Sequence, residues 1–568
     1  MTWTEHPGPE DPRDPCRRCS KGRHAAAVAP PPVRPSATGR PGVSAEADPD
    51  PGTPEVPVPV ALPDLAGGDP VSTDILRSDA SVFRRVPVLA LFTAGSSLVS
   101  VLVYVFSARW LGPDRYGEAQ AVLLAYALGG LFQLGVFANA ARTAVHQRGT
   151  GAGADAVAVQ NVGLTAELVV SIIPGIVMAV IAPFLANPTL ALGFALAPLA
   201  LGLSSLAGFL GGLEVGYGRA ARATMISTTT AAVAGVATLA AISAIGPDAL
   251  FVAPMVGSLL AVAWLAPRLV RAGLRWQWDL AWARRLTRGG LPLAVNSIAY
   301  WCYRWIGPTS VAIALGSVAL ASYSVAVAPL TFAFGLLVIG ARLFLPGFWQ
   351  DMARGDRARW RPQGDRLTSS LALSAAGAAT VGQVLFPTFI VRVLPEYRGA
   401  IPLFAVLALE IPLFLIPQVP SFVLDSAAVN RQGFHAILWV SMLTVNVAAN
   451  AVVLAAGLGA QAVAWDDVAI QAVMLIALFV AARPYQGRFG ERLVELRGTV
   501  GALVLTVVVG GTLAGTTVAG VWSGTGGLVA RSVVVLAGWA VLGGVLAVFR
   551  RSGPGDGADG AGITSAQT

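Results

Sequence analysis

From Pro87 to Phe549 the chain is a succession of apolar blocks, each about 20 residues or longer and separated by short polar breaks. A block of that length crosses the hydrocarbon core of a bilayer as a helix. Only 12% of the residues are charged and the mean hydropathy is +0.66, whereas a water-soluble surface needs roughly a quarter of a chain charged. These features exclude a soluble domain and predict an all-α polytopic membrane protein. Splitting the sequence at its polar breaks predicts about 14 spans, roughly at 87–108, 117–141, 161–185, 189–213, 224–246, 249–267, 289–308, 321–347, 367–388, 400–424, 434–456, 462–482, 499–521 and 528–549. The blocks are rich in Ala, Val, Leu and Gly without strict alternation, which favours helices over a barrel of ~10-residue strands.

The net charge of +8 does not point to nucleic acid, because the basic residues fall between the apolar blocks. They are almost all arginine, Lys21 being the lone lysine. Arg84 and Arg85 precede the first span. Arg142 and Arg148 follow the second, Arg219 and Arg222 the fourth, and Arg268 through Arg288 the sixth. Arg354 through Arg361 follow the eighth, Arg431 the tenth, Arg483 through Arg497 the twelfth, and Arg550 and Arg551 the last. The other connections carry little: Arg109 and Arg115, Arg392 and Arg398, and Arg531. By the positive-inside rule this alternation predicts both termini in the cytoplasm of a plasma-membrane protein.

Residues 1–86 are rich in Pro, Ala, Asp and Arg and lack apolar periodicity, so they are expected to form a disordered cytoplasmic tail. They have no secretory h-region. Cys16 and Cys19 make half a zinc site at best, and with Cys302 they are too few for a disulfide framework. Residues 550–568 read as a second tail.

A short echo suggests internal duplication. Arg109-Trp-Leu-Gly-Pro113 closes the first predicted span and Arg304-Trp-Ile-Gly-Pro308 the seventh. Parallel repeats of this kind build transporters with a substrate path between their halves. The expected organisation is an N-lobe at 87–267, a C-lobe at 289–482 and two further helices at 499–549. Between the lobes, 268–288 mixes Arg271, Arg275, Arg284 and Arg285 with Trp276, Trp278 and Trp282, the composition of an interfacial helix on the inner leaflet.

Ser107-Ala-Arg-Trp-Leu-Gly-Pro-Asp-Arg-Tyr-Gly117 resembles the first-loop signature of the bacterial polysaccharide exporters. These are lipid-linked oligosaccharide flippases of the multidrug/oligosaccharidyl-lipid/polysaccharide (MOP) superfamily. A second stretch is similar to the family's seventh and eighth helices: Gly290-Leu-Pro-Leu, Leu315-Gly-Ser, Tyr323-Ser-Val-Ala, Leu345-Pro346 and Ala353-Arg-Gly-Asp356. The resemblance implies two six-helix lobes around a central cavity. It also implies alternating-access movement of an undecaprenyl-pyrophosphate-linked oligosaccharide between leaflets, with no hydrolysis and no cofactor; no Walker-type phosphate loop occurs in the sequence. The partners it implies are that substrate, membrane lipids, and a glycan polymerase or glycosyltransferases of the same pathway. The chain departs from the family at the end of the seventh helix, where an Asp is common and Arg304 stands here.

Charges inside a span are costly and mark function by default, and arginine suits a diphosphate because its planar fork binds two oxygens. Arg142 lies at the inner end of the second span, Arg342 near the inner end of the eighth, and Arg304 late in the seventh, near the outer surface. Each reads either as a diphosphate contact or as a structural, snorkelling arginine. Glu410, amid Pro412, Pro417 and Pro420, and Glu167 in the third span read as ion-coupling carboxylates or as buried structural partners. Asn296, Asn446 and Asn450 read as sugar contacts or interhelical hydrogen-bonders, the last two sharing a helix face. Asp466 and Asp467 begin the twelfth span near the outer surface; adjacent residues do not share a helix face, which argues against a glycosyl-hydrolysing pair. Three alternatives accompany the exporter reading: a lipid II flippase, a drug antiporter, and a membrane polymerase or ligase. The short outer connections argue against the last.

Overall fold

The computed structural model describes residues 79–133, 140, 153–216, 219–271, 273–353, 357–426, 429 and 431–486, with 501, 532 and 533 beyond. Side chains are described from 95 onward, apart from scattered positions and most of 336–347. Residues 1–78 and 550–568 of the expected tails, with Cys16 and Cys19, Arg142 and nearly all of the spans at 499–549 therefore lie outside the description, as does the side chain of Arg342.

The described residues contain helices and no strands. They are α1 Asp79–Gly129, α2 Gly153–Ile181, α3 Pro188–Gly216, α4 Ala220–Ile245, α5 Ala249–Arg271, α6 Leu280–Ala353, α7 Arg357–Val393, α8 Ala400–Leu407, α9 Glu410–Leu415, α10 Gln418–Asp425, α11 Gln432–Ala455 and α12 Gly459–Gln486. Among these residues, eight stretches are long and apolar enough to cross a membrane, two of them long enough for a pair of passes: Arg222–Arg271 and Ala294–Gly335. Each of the first twelve predicted spans corresponds to a helix, a helix arm or, for the tenth, a run of three short helices. The helices outrun the predicted spans because backbone hydrogen bonding continues past the apolar core. Thus α1 begins at Asp79, inside the expected tail.

Two long helices are hairpins. α1 breaks at Gly112 (φ 71°, ψ 171°) and α6 at Gly316 (φ 82°, ψ −174°). Only glycine adopts these angles readily, so each position reverses the chain within one residue. The Gly112 turn is where the sequence places it. The second turn is not: the echo Arg304–Pro308 runs through uninterrupted helix, and the reversal comes at Gly316 in Leu315-Gly-Ser. Arg304 is therefore not near the outer end of its span. It lies twelve residues before the turn, about 18 Å along the helix.

The tenth span is broken into α8, α9 and α10. Pro412, Pro417 and Pro420 each lack an amide donor, so a continuous hydrogen-bond ladder cannot form. In the membrane such a break persists only where protein surrounds it. Accordingly, 89% of the apolar window in Ala400–Asp425 is buried, more than in any other candidate span described.

The connection between the lobes also differs from expectation. Instead of one interfacial helix, α5 ends at Arg271, the chain turns at Gly273 (φ 98°), and an extended strap runs through 274–279 before α6 begins. The Asp279 carboxylate accepts from the amides of Ala281 and Trp282 at 2.8 and 3.0 Å, which satisfies two donors at the start of α6. An amide-acceptor pairing along α2 holds the strap extended, and nothing in the local apolar pattern announces it.

Candidate functional site

The broken tenth span lies beside α6, α7 and α12, and this surrounding buries the carboxylate at its centre, Glu410. Glu410, the first residue of α9, accepts from Arg304 Nη1 at 2.8 Å, with side-chain exposures of 10% and 14%. The guanidinium also lies against two aromatic rings, Phe334 at 4.5 Å and Phe414 at 5.4 Å, so the buried cation has an anion and two π faces as partners. The two residues that the sequence singled out separately, one for phosphate and one for an ion, are thus each other's partner across 106 positions.

A second carboxylate stands close by. Asp467 lies eight residues into α12, about 12 Å from its start, deeper than its expected place near the outer surface. Its Oδ2 accepts from Tyr323 Oη at 2.8 Å and its Oδ1 from Asn446 Nδ2 at 3.0 Å. Asn450 Nδ2 donates in turn to Asn446 Oδ1 at 2.9 Å, and Tyr303 donates to the Asp467 carbonyl at 2.9 Å. Asn446 and Asn450 therefore share a face, as their spacing requires, but that face is turned into the lobe: their exposures are 0% and 1%. The close approach depends on Gly307. A Cβ there would stand 2.2 Å from Asp467 Oδ2 and 2.8 Å from Tyr323 Oη. Glycine occurs in both copies of the echo for different reasons, a left-handed turn at Gly112 and room for a carboxylate at Gly307.

The remaining expected residues are elsewhere. Asn296 sits on α6 eight residues before Arg304, half-buried, with Oδ1 making no hydrogen bond among the described residues. Glu167 is buried on α2, away from the Arg304 cluster. Glu214, buried near the C-terminal end of α3 with Arg219 at 3.7 Å, was not singled out by sequence. Tyr303 was not either, and Tyr323 entered only as part of a motif, not as a site residue: an aromatic in an apolar span looks like any other apolar residue until its hydroxyl is seen to have a partner.

The lobes meet at the end that carries the two glycine turns. α1 packs more extensively on α6 than on any other helix. At Gly117 the approach is backbone to side-chain space: a Cβ would stand 2.0 Å from the Ser317 carbonyl oxygen. Tyr397, in the connection between α7 and α8, donates to the Ala108 carbonyl at 2.9 Å and meets the Tyr116 ring edge-on at 6.1 Å. Burial, with Glu396 and Asp114 nearby, pushes the Tyr397 phenol well up, so it remains a donor at neutral pH. Ala108, Tyr116 and Ala119 of the N-lobe join Val311, Ala321, Tyr323 and Leu394 of the C-lobe in one apolar cluster. This end is sealed.

Residues 106–337 match the family described as "Polysaccharide biosynthesis protein". No curated protein matches the sequence. Among solved structures, the chain is similar to a lipid II flippase, MurJ, in an inward closed conformation (TM-score 0.58, 11% identity, covering 81% of this chain and 98% of that one). It is also similar to an inward-facing multidrug resistance MATE family transporter of the MOP superfamily (TM-score 0.53, 13% identity, 70% and 97%). Identities this low speak for the fold. Residues 106–337 thus match a polysaccharide-biosynthesis family, and the chain has the fold seen in that flippase and that transporter.

Proposed function

We propose that the protein is an alternating-access flippase that carries an undecaprenyl-pyrophosphate-linked oligosaccharide from the inner to the outer leaflet of the plasma membrane, for cell-surface polysaccharide biosynthesis. The observation that carries this reading is the polysaccharide-biosynthesis match over 106–337, which includes both glycine turns, Gly112 and Gly316. The seal at the Gly112 and Gly316 turns supports it. Under the arginine bias those turns face outward, so the molecule is closed to the outside and receives cargo from within. In this reading Arg142 and Arg342 meet the diphosphate at the inner side and Asn296 meets sugar. Arg304 meets phosphate only by leaving Glu410, and a coupling cation reaches Glu410 only by displacing Arg304. Glu167 is the second coupling carboxylate. Asn446 and Asn450 act through Asp467.

The test is a proteoliposome assay with a fluorescent lipid-linked oligosaccharide. Head-group translocation with the probe covalently unchanged supports the reading. No translocation overturns it, and release of a new glycan product would mark a polymerase or ligase. A parallel arm with labelled lipid II separates the two flippase cargoes, because the preferred probe should move at least about tenfold faster.

A further inference from the structure

The strap at 274–279 lies on α2 in a register that helix and strand geometry make possible. Arg275 N donates to Asn161 Oδ1 at 2.9 Å, and Gln277 N donates to Thr165 Oγ1 at 3.2 Å. Asn161 and Thr165 are one helical turn apart, about 6 Å, and two residues of extended chain advance about 6.8 Å. The strap is thus paired edge-on to a helix through side-chain acceptors. Asn161 Nδ2 closes the arrangement by donating to Gln277 Oε1 at 3.5 Å.

The amides of 275 and 277 are turned to α2, and the side chains of 275–278 are all exposed. Trp276, Trp278 and Leu280 stand exposed at 62%, 57% and 70%. Leu274 at one end of the strap, and Ala283 and Leu286 on the first turns of α6, are buried with Val159, Phe209 and Leu269. Around the exposed edge stand Arg275, Arg284, Arg285 and Arg288, all exposed, with Arg285 over the Trp282 ring at 5.0 Å. The only acid of the strap, Asp279, is taken up in capping α6.

The depth of this edge is fixed by α2. Asn161 and Thr165 lie 20 and 16 residues before Ile181, about 30 and 24 Å from that end of the helix. A hydrocarbon core is about 30 Å thick, so the strap lies at the opposite boundary of the core, at the level of the headgroups. Indole rings favour that layer, and arginines there are drawn to anionic lipid.

We infer that the strap and the first turns of α6 form a binding site for anionic phospholipid of the adjacent leaflet. Trp276, Trp278 and Leu280 seat among the upper acyl chains, and Arg275, Arg284, Arg285 and Arg288 hold the phosphodiester headgroups. Because the strap is bonded to α2 and caps α6, the bound lipid sits at the junction of the two lobes.

The full chain is reconstituted in nanodiscs of phosphatidylcholine containing a minority of phosphatidylglycerol, and the lipids retained after detergent extraction are counted by native mass spectrometry. Wild type should retain phosphatidylglycerol over phosphatidylcholine. The triple variant Arg284→Gln, Arg285→Gln, Arg288→Gln should bind phosphatidylglycerol about 100-fold more weakly. Equal retention in both proteins, or no preference for the anionic lipid, overturns the inference. A second measurement does not depend on that variant: brominated lipid should quench wild-type tryptophan fluorescence more than that of Trp276→Phe, Trp278→Phe. Identical quenching would place the strap outside the bilayer and overturn the inference. Neither readout involves transport, so their failure leaves the flippase reading standing, and a failed flippase assay leaves them standing.

Discussion

At Arg304 and Glu410 the physics of a single pair dominates. Two charges held 2.8 Å apart with little solvent access each lose hydration, and each is tolerated because the other is present. Removing one partner strands the other. Glu410→Leu or Arg304→Met alone should each destabilise the protein by about 3–5 kcal/mol, whereas the double variant should recover most of that loss. Thermal unfolding in detergent, read as a double-mutant cycle, checks this; additive losses would mean that the pair is not coupled. Gly307→Ala is the matching test for Asp467. The added methyl meets the carboxylate at 2.2 Å, and overpacking of this kind costs about 1–3 kcal/mol. Asp467→Asn should be milder, because the amide oxygen can go on accepting from Asn446 while its NH2 donates to the Tyr323 hydroxyl, which also accepts. Unchanged stability of Gly307→Ala would show that α6 and α12 part easily.

At the scale of elements, the two hairpins act as one closure. Gly117 brings the second arm of α1 onto the Gly316 turn, and Tyr397 ties the start of the α7–α8 connection to α1. Gly117→Val should therefore hold the seal open. Ser107, buried on α1 at 0% exposure, reports this: in a cysteine-free background, Ser107→Cys should resist a membrane-impermeant thiol reagent, and adding Gly117→Val should raise its labelling rate about tenfold or more. Equal labelling in the two proteins would mean that the lobes do not part at these turns. Tyr397→Phe removes one hydrogen bond, about 1 kcal/mol, and should give an increase of only about fivefold. Local pattern announced one hairpin and misplaced the other. Both turns need a glycine at positive φ, but glycine also serves where helices press together, as at Gly307, and a five-residue echo does not distinguish the two uses. The break in the tenth span was legible in its prolines; the burial that permits it was not.

For the whole molecule, the proposed flippase activity requires cargo to cross between lobes that open at alternate ends. Arg342→Ala should lower head-group translocation at least about tenfold while membrane insertion stays intact, which the proteoliposome assay measures against protein yield. A wild-type rate would remove Arg342 from the cargo path. Glu410→Gln should lose any acceleration that an imposed proton or sodium gradient produces in the wild type. A response that persists in this variant would leave Glu410 a purely structural partner of Arg304.

Hydropathy and arginine placement by themselves determined that this chain lies in a membrane as a series of helices. Both are local quantities: each apolar stretch must satisfy its own backbone hydrogen bonds in lipid, and a helix does so within about 20 residues. They also located the first glycine turn and the embedded charges. Tertiary structure alone decided which charge meets which, because Arg304 and Glu410, Tyr323 and Asp467, and Asn161 and Gln277 are each more than a hundred residues apart. Such pairings follow from helix packing and depth in the bundle, which single-residue transfer energies do not encode.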